Sequence, residues 1–259
     1  MCESCGQDSH RYSHRPFAPS RRTMILAAAA IGLGFAGSAA AKEKEKEDDE
    51  EKKEKKKKPP KPQNVLSPDA ALERLRKGNA RYIEGVSLRH DFRHEREALA
   101  KGQNPYAAIL SCADSRIAPE YAFDSGRGDL FVCRVAGNFA NDETVASLEY
   151  AVAVLNVPLI LVLGHESCGA VDAAIKSLKD NTTLPGHLPS LVTAIAPAVN
   201  AVSQQGGDVL GNATRQNVID NVAKLASATP ILSAAVEQKK LKVVGGIYRL
   251  KDGRVDMVA

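Results

Sequence analysis

The sequence predicts an α/β fold: a mostly parallel central sheet flanked by helices, with a protruding N-terminal helix and a C-terminal hairpin. Two observations carry this. Short apolar runs at 107–110, 130–135, 159–163 and 241–248 alternate with longer stretches whose apolar residues recur at helical spacing. The two richest polar clusters, at 111–116 and 164–169, each begin where an apolar run ends. In open parallel sheets, chemistry gathers beyond the carboxyl ends of strands.

The elements follow in order. Ser67-Pro68-Asp69 gives a capping hydroxyl, a proline for the first helical position and an early acid. Leu72, Leu75, Tyr82 and Ile83 continue that helix, and Gly85 ends it. A short second helix covers 92–100. The runs 107–110 and 130–135 read as strands, and 142–155 as a helix with Val145, Leu148, Val152 and Leu155 on one face. The run 159–163 is the clearest buried strand. Helices are expected at 169–178, at 188–204 (with Pro197 a possible interruption) and at 215–226. Strand 241–248 leads through Asp252-Gly253 into 255–258 as a hairpin.

Composition bounds the rest. Of 259 residues, 44% are hydrophobic and 25% charged. That supports one sizeable core and excludes a disordered chain or a multi-span membrane protein. The net charge of +4 is distorted by one N-terminal segment, so it argues for no nucleic-acid partner. Five unevenly spaced cysteines do not make a disulfide scaffold.

Three regions emerge. Residues 1–41 read as an export signal: Arg21-Arg22, an apolar run from Met24, and the exit Ala39-Ala40-Ala41. The arginine pair resembles the twin-arginine type, implying the twin-arginine machinery as a partner and a periplasmic or otherwise exported protein. An uncleaved signal would instead anchor the chain in a membrane. Residues 42–66 form a linker, within which 42–63 holds 10 Lys against 8 acids and no apolar residue. Its lysine-rich end is a candidate contact for anionic surfaces. Residues 67–259 form the globular domain.

Cluster one is Cys112-Ala113-Asp114-Ser115-Arg116 and cluster two is His165-Glu166-Ser167-Cys168-Gly169. Neighbouring parallel strands would bring them together. Two thiolates and an imidazole in one pocket make a zinc-type ligand set: Cys112, His165 and Cys168. Spacing alone is moderate support, because His-x-x-Cys is common and cysteine is often merely buried. For Glu166, a proton acceptor and a solvent-facing position are equally open.

Here the sequence resembles the β-class carbonic anhydrases, in a bacterial, exported form. The resemblance spans nearly all of 67–259. It rests on Gly78-Asn79-x-Arg81, Gln103-x-Pro105, the run Ser111 through Arg116, Gly128-Asp129-Leu130-Phe131-Val132, Arg134-Val135-Ala136-Gly137-Asn138, Glu149-Tyr150-Ala151-Val152 and Gly164-His165-x-x-Cys168-Gly169-Ala170. It implies Zn2+ on Cys112, His165 and Cys168, and reversible hydration of CO2 to bicarbonate by attack of zinc-bound hydroxide. It implies that Asp114 orients that hydroxide and Arg116 holds Asp114, which becomes a fourth ligand in a closed form. Gln103, Phe131, Ala136 and Tyr150 fall where the family contacts substrate, and the family forms homodimers or homotetramers. Some members have a bicarbonate-regulated pocket built on a Trp. This chain has no Trp, although Arg134 resembles that pocket's arginine, which favours the open form. Two alternatives keep the ligands: a zinc hydrolase acting on CS2 or COS, and a non-catalytic zinc-binding envelope protein.

Overall fold

The structure, a computed structural model, describes residues 65–100 and 102–259. The export-signal reading, and the linker reading up to residue 64, lie outside the described residues. Five strands form one sheet in the order β2-β1-β3-β4-β5. The strands are β1 (Ala107–Ser111), β2 (Leu130–Arg134), β3 (Leu159–His165), β4 (Lys242–Tyr248) and β5 (Val255–Met257). The first four are mutually parallel, and β5 returns antiparallel to β4 as the hairpin.

The helices are α1 (Pro68–Ile83), α2 (Phe92–Leu99), α3 (Pro119–Ala122), α4 (Asp142–Ala153), α5 (Gly169–Lys179), α6 (Pro189–Val202), α7 (Val209–Ala226) and α8 (Ile231–Glu237). None of the described helices is long and apolar enough to cross a membrane.

Side-chain alternation explains the layers. On β3, Leu159, Leu161 and Leu163 face one cluster with Ala71, Leu75 and Phe123. Ile160 and Val162 face the other, with Leu148, Val218 and Leu225. Every residue of β3 is buried, as a strand covered on both faces must be. α1, expected to protrude, buries Ala71, Leu72 and Leu75 while Tyr82 and Ile83 at its end stay exposed. Its contact with α3 is close: a Cβ on Gly78 would lie 1.9 Å from the Phe123 carbonyl oxygen, so only glycine fits. Asn79 then bridges elements, donating to the Ala122 and Gly253 carbonyls and accepting from Val255 N. Tyr106, fully buried, shares a hydrogen bond of 3.0 Å with Ser125 and lies 4.2 Å beneath the Arg74 guanidinium.

Two local expectations change, and two short helices are added. α7 starts at Val209 rather than 215, because the Asp208 side chain caps it on Gly211 N. α6 continues through Pro197 without interruption. The short helices α3 and α8 had no periodic signal long enough to read.

Candidate metal centre

β1 and β3 are hydrogen-bonded neighbours, with Ser111 opposite Leu163. Both clusters therefore emerge at one sheet edge. β1 ends and hands over Cys112, while β3 ends on His165. The chain then turns through Ser167, whose φ of 52° is left-handed, to place Cys168 at the N-cap of α5.

The Sγ atoms of Cys112 and Cys168 stand 4.0 Å apart. The three ligand atoms of Cys112, His165 and Cys168 all lie within 4.8 Å of one another. Two sulfurs about 2.3 Å from a tetrahedral ion would stand about 3.8 Å apart, close to what is observed. His165 Nδ1 donates to the Glu166 carbonyl at 2.8 Å, which leaves the lone pair on Nε2. That Nε2 is buried and has no hydrogen-bond partner. Buried nitrogen without a partner is costly, and a cation among these three donors removes the cost. The residues present fit a zinc-type ion.

Electrostatics agree. A hydrogen bond from Cys168, aided by His165 and Gly137 N, pulls the Cys112 thiol down to about 4 against the effect of burial. The neighbouring Cys112 sulfur and burial push the Cys168 thiol up. Two neighbouring thiolates in this buried place need a positive partner. Gly137 N lies 3.3 Å from Cys112 Sγ. Its φ of +88° favours glycine, and a Cβ there would meet Ile195 Cδ1 at 2.6 Å.

Asp114 lies beside this group, its Oδ2 3.8 Å from His165 Nε2. Arg116 donates from Nε to Oδ1 at 2.9 Å, from Nη2 to Oδ2 at 2.6 Å and from its backbone N to Oδ1 at 2.9 Å. That guanidinium holds the Asp114 carboxyl well below the usual carboxylate range. Arg116 Nη2 also reaches the Ser167 carbonyl at 3.2 Å, tying cluster one to cluster two.

The other expected residues scatter. Ala136 is half-buried in the turn before Gly137. Phe131, on edge strand β2, and Tyr150, on α4, pair with ring centroids 6.3 Å apart, and Tyr150 is exposed. Gln103 is exposed in the coil leading into the amino end of β1, the opposite end from Cys112, so one chain does not bring it to the group. Glu166 is not a free proton acceptor: Arg249 Nη1 and Leu250 N donate to its two oxygens at 2.8 and 3.1 Å. Arg134 donates to three main-chain carbonyls, those of Cys112, Asp114 and Ile117. The contributions of Gly137 N and the Ser167 carbonyl went unread, since a backbone group leaves no mark on a residue pattern.

Sheet, ligand positions and the Asp114/Arg116 pair together define a β-class carbonic anhydrase site. A family model described as carbonic anhydrase matches residues 107–255. The chain is 41% identical over 194 residues to carbonic anhydrase 2 of Mycobacterium tuberculosis, covering 73% of this chain and 91% of that protein. It is 38% identical over 192 residues to a carbonic anhydrase of Mycolicibacterium smegmatis, covering 74% and 93%. The solved β-carbonic anhydrase CcaA superposes with a TM-score of 0.54 at 30% identity, covering 73% of this chain and 98% of that one. The chain belongs to the β class of the carbonic anhydrase family and is an enzyme of that family.

Proposed function

We propose that the chain catalyses the reversible hydration of CO2 to bicarbonate and a proton, with Zn2+ as its resident metal on Cys112, His165 and Cys168. The observation that carries this is the convergence of two buried sulfurs and an unpartnered imidazole Nε2 beside the Arg116-held carboxylate of Asp114. Zinc bound by two thiolates and one imidazole would supply a Lewis acid weaker than a three-imidazole site, activating water with activity rising toward alkaline pH.

The chain's own residues do the rest. Asp114 stays ionised under Arg116 and accepts a hydrogen bond from the attacking solvent, turning an oxygen lone pair toward CO2. Gly137 N stabilises charge on the Cys112 sulfur. Phe139, Val171 and Ile195 pack around the two cysteines and keep bulk water from them. The released proton passes to buffer.

We assign Gln103, Phe131 and Tyr150 to a site completed by a second copy of the chain, in a homodimer or homotetramer. β2 is an edge strand, and Tyr150 and Val154 are exposed apolar side chains on and just after α4. We assign residues 1–41 to twin-arginine export into the periplasm. Loading zinc before folded export would shield Cys112 and Cys168 from oxidation.

Stopped-flow CO2 hydration with metal analysis of the purified full chain tests the reading. About one zinc per chain, with hydration above the buffer background, is expected. A metal-loaded chain that does not hydrate CO2, or a folded chain that retains no zinc, overturns it. Sulfide release from CS2 or COS without CO2 hydration redirects it to those substrates, which nothing above favours.

A further inference from the structure

We propose that Asn217, on α7, is a positioning residue for this site: its side-chain amide holds the Gly137 carbonyl, and so keeps the Gly137 N–H directed at the Cys112 sulfur. The inference rests on the metal reading above.

Gly137 needs a hold from outside its own loop. A side chain there would strike Ile195, so only glycine lets the backbone come to the sulfur. Glycine is also the residue least able to fix its own backbone. Its N–H reaches Cys112 Sγ at 3.3 Å, and its carbonyl accepts from Asn217 Nδ2 at 2.8 Å. The residue is thus gripped on both sides, by the ligand and by a helix outside the ligand-bearing segments. Hydrogen bonds onto a ligand sulfur draw off charge that would otherwise pass to the metal, so the direction of this N–H matters to the ion.

The anchor is itself fixed. Asn217 is buried, and Asn221, one turn on, donates from Nδ2 to the Asn217 carbonyl at 2.7 Å and to Asn217 Oδ1 at 3.2 Å. The second of these bonds settles which end of the Asn217 amide is oxygen, and leaves its NH2 to Gly137. Asn221 Oδ1 accepts from Ala140 N at 2.7 Å, and Lys224 Nζ donates to the Ala140 carbonyl at 2.6 Å. Asn217, Asn221 and Lys224 recur at helical spacing, so one stripe of α7 meets the loop 137–140. The helix is also seated on the sheet. Cβ atoms on Gly164 and Gly245 would each lie 2.6 Å from a Val218 methyl, so α7 approaches β3 and β4 as closely as glycine allows. Gly164 immediately precedes His165. One helix therefore braces both the strand that ends on His165 and the loop that touches Cys112.

The test uses full-length protein, as the parent chain and as Asn217→Leu, Asn217→Ser and Lys224→Met. Hydrogen exchange of the Gly137 amide is read by NMR on metal-free samples, and the sulfur-to-metal charge-transfer band on cobalt(II)-loaded ones. Asn217→Leu should exchange at Gly137 at least about tenfold faster than the parent, since the carbonyl bond no longer opposes local opening. Its charge-transfer band should move to longer wavelength, because a sulfur without its N–H partner gives up charge more readily. Asn217→Ser should do the same, its hydroxyl being too short to reach the Gly137 carbonyl. Lys224→Met removes the hold on Ala140, three residues on, and should leave the band where the parent has it. A shift there as large as in Asn217→Leu would mean that any loosening of the loop suffices, and overturns the proposal. Parent-like exchange or a parent-like band in Asn217→Leu overturns it too. If that variant does not fold, Asn217→Ser decides on the same two readouts. If neither folds, the parent decides: a Gly137 amide protected at least as well as the Asn217 side-chain amide supports the hold, and one that opens more than about tenfold more often overturns it. A parent chain that takes up no cobalt sinks the metal reading instead, and the exchange arm still tests the hold.

Discussion

Replacing Asp114 by Asn changes one atom and reverses its chemistry. The carboxylate accepts three hydrogen bonds from Arg116, the shortest 2.6 Å from Nη2 to Oδ2. An amide of the same shape has one acceptor and one donor. Its NH2 either faces the Arg116 donors or takes the Oδ2 position near His165 Nε2, where it offers a proton instead of accepting one. With the NH2 at Oδ2 the acceptor that orients solvent is lost; with it at Oδ1 the NH2 opposes the Arg116 donors, and the remaining oxygen accepts without the carboxylate charge. Positioned proton acceptors contribute about 10²–10⁴-fold, so kcat/KM should fall at least about a hundredfold, on the order of 3 kcal/mol in barrier. Metal content should not change, because the Cys112, His165 and Cys168 group is complete without Asp114. The assay is stopped-flow hydration across a pH series, with metal analysis of the same sample. Activity within about threefold of the parent at full metal occupancy would refute the assigned role. A stability signature accompanies it. The folded-state acidity of Asp114 is enhanced, so its contribution is present above the usual carboxylate range and lost as pH falls through the lower folded value. Asp114→Asn should flatten that acid limb.

Cys168→Ser should lower bound metal to below about one-tenth of the parent, checked by metal analysis after dialysis, because it removes one of three buried ligands. Burial pushes the Tyr106 phenol from 10.0 up to about 12. The folded state thus holds this proton more tightly than the unfolded state. Stability should fall by up to about 2–3 kcal/mol as pH rises from about 10 to 12, a slope that denaturant titrations will show reduced in Tyr106→Phe. Gly78→Ala places a Cβ 1.9 Å from the Phe123 carbonyl oxygen, forcing α1 and α3 apart. A loss of about 2–3 kcal/mol is expected, or a thermal midpoint lower by about 4–12 °C.

Much of this was legible because residue type and position coincide. The run 159–163 has no polar residue, and β3 is buried on both faces, so composition and environment give the same message. Cys112 and His165 could be paired because each sits where an apolar run stops, and adjacent parallel strands stop together. Gly211 and Asn212 look like helix breakers, but they lie within the first turns of α7, beyond a capping Asp208. The seven residues of α8 give too few turns for a period to show. Gln103 follows a family pattern, yet a pattern along the chain does not say at which end of β1 the fold will put it. The carbonyl contacts of Arg134 were hidden for another reason: carbonyl oxygens are common to every residue.

The tie from Arg116 Nη2 to the Ser167 carbonyl, together with the direct pairing of β1 with β3, has a consequence for assembly. The two ligand-bearing tips are braced against each other by the protein itself. In small zinc modules the ion must organise the whole chain, and chelation unfolds them. Here the scaffold is already in place, so capture of the ion requires little ordering. A chelator should strip it and later excess restore it while the circular dichroism of the fold stays unchanged.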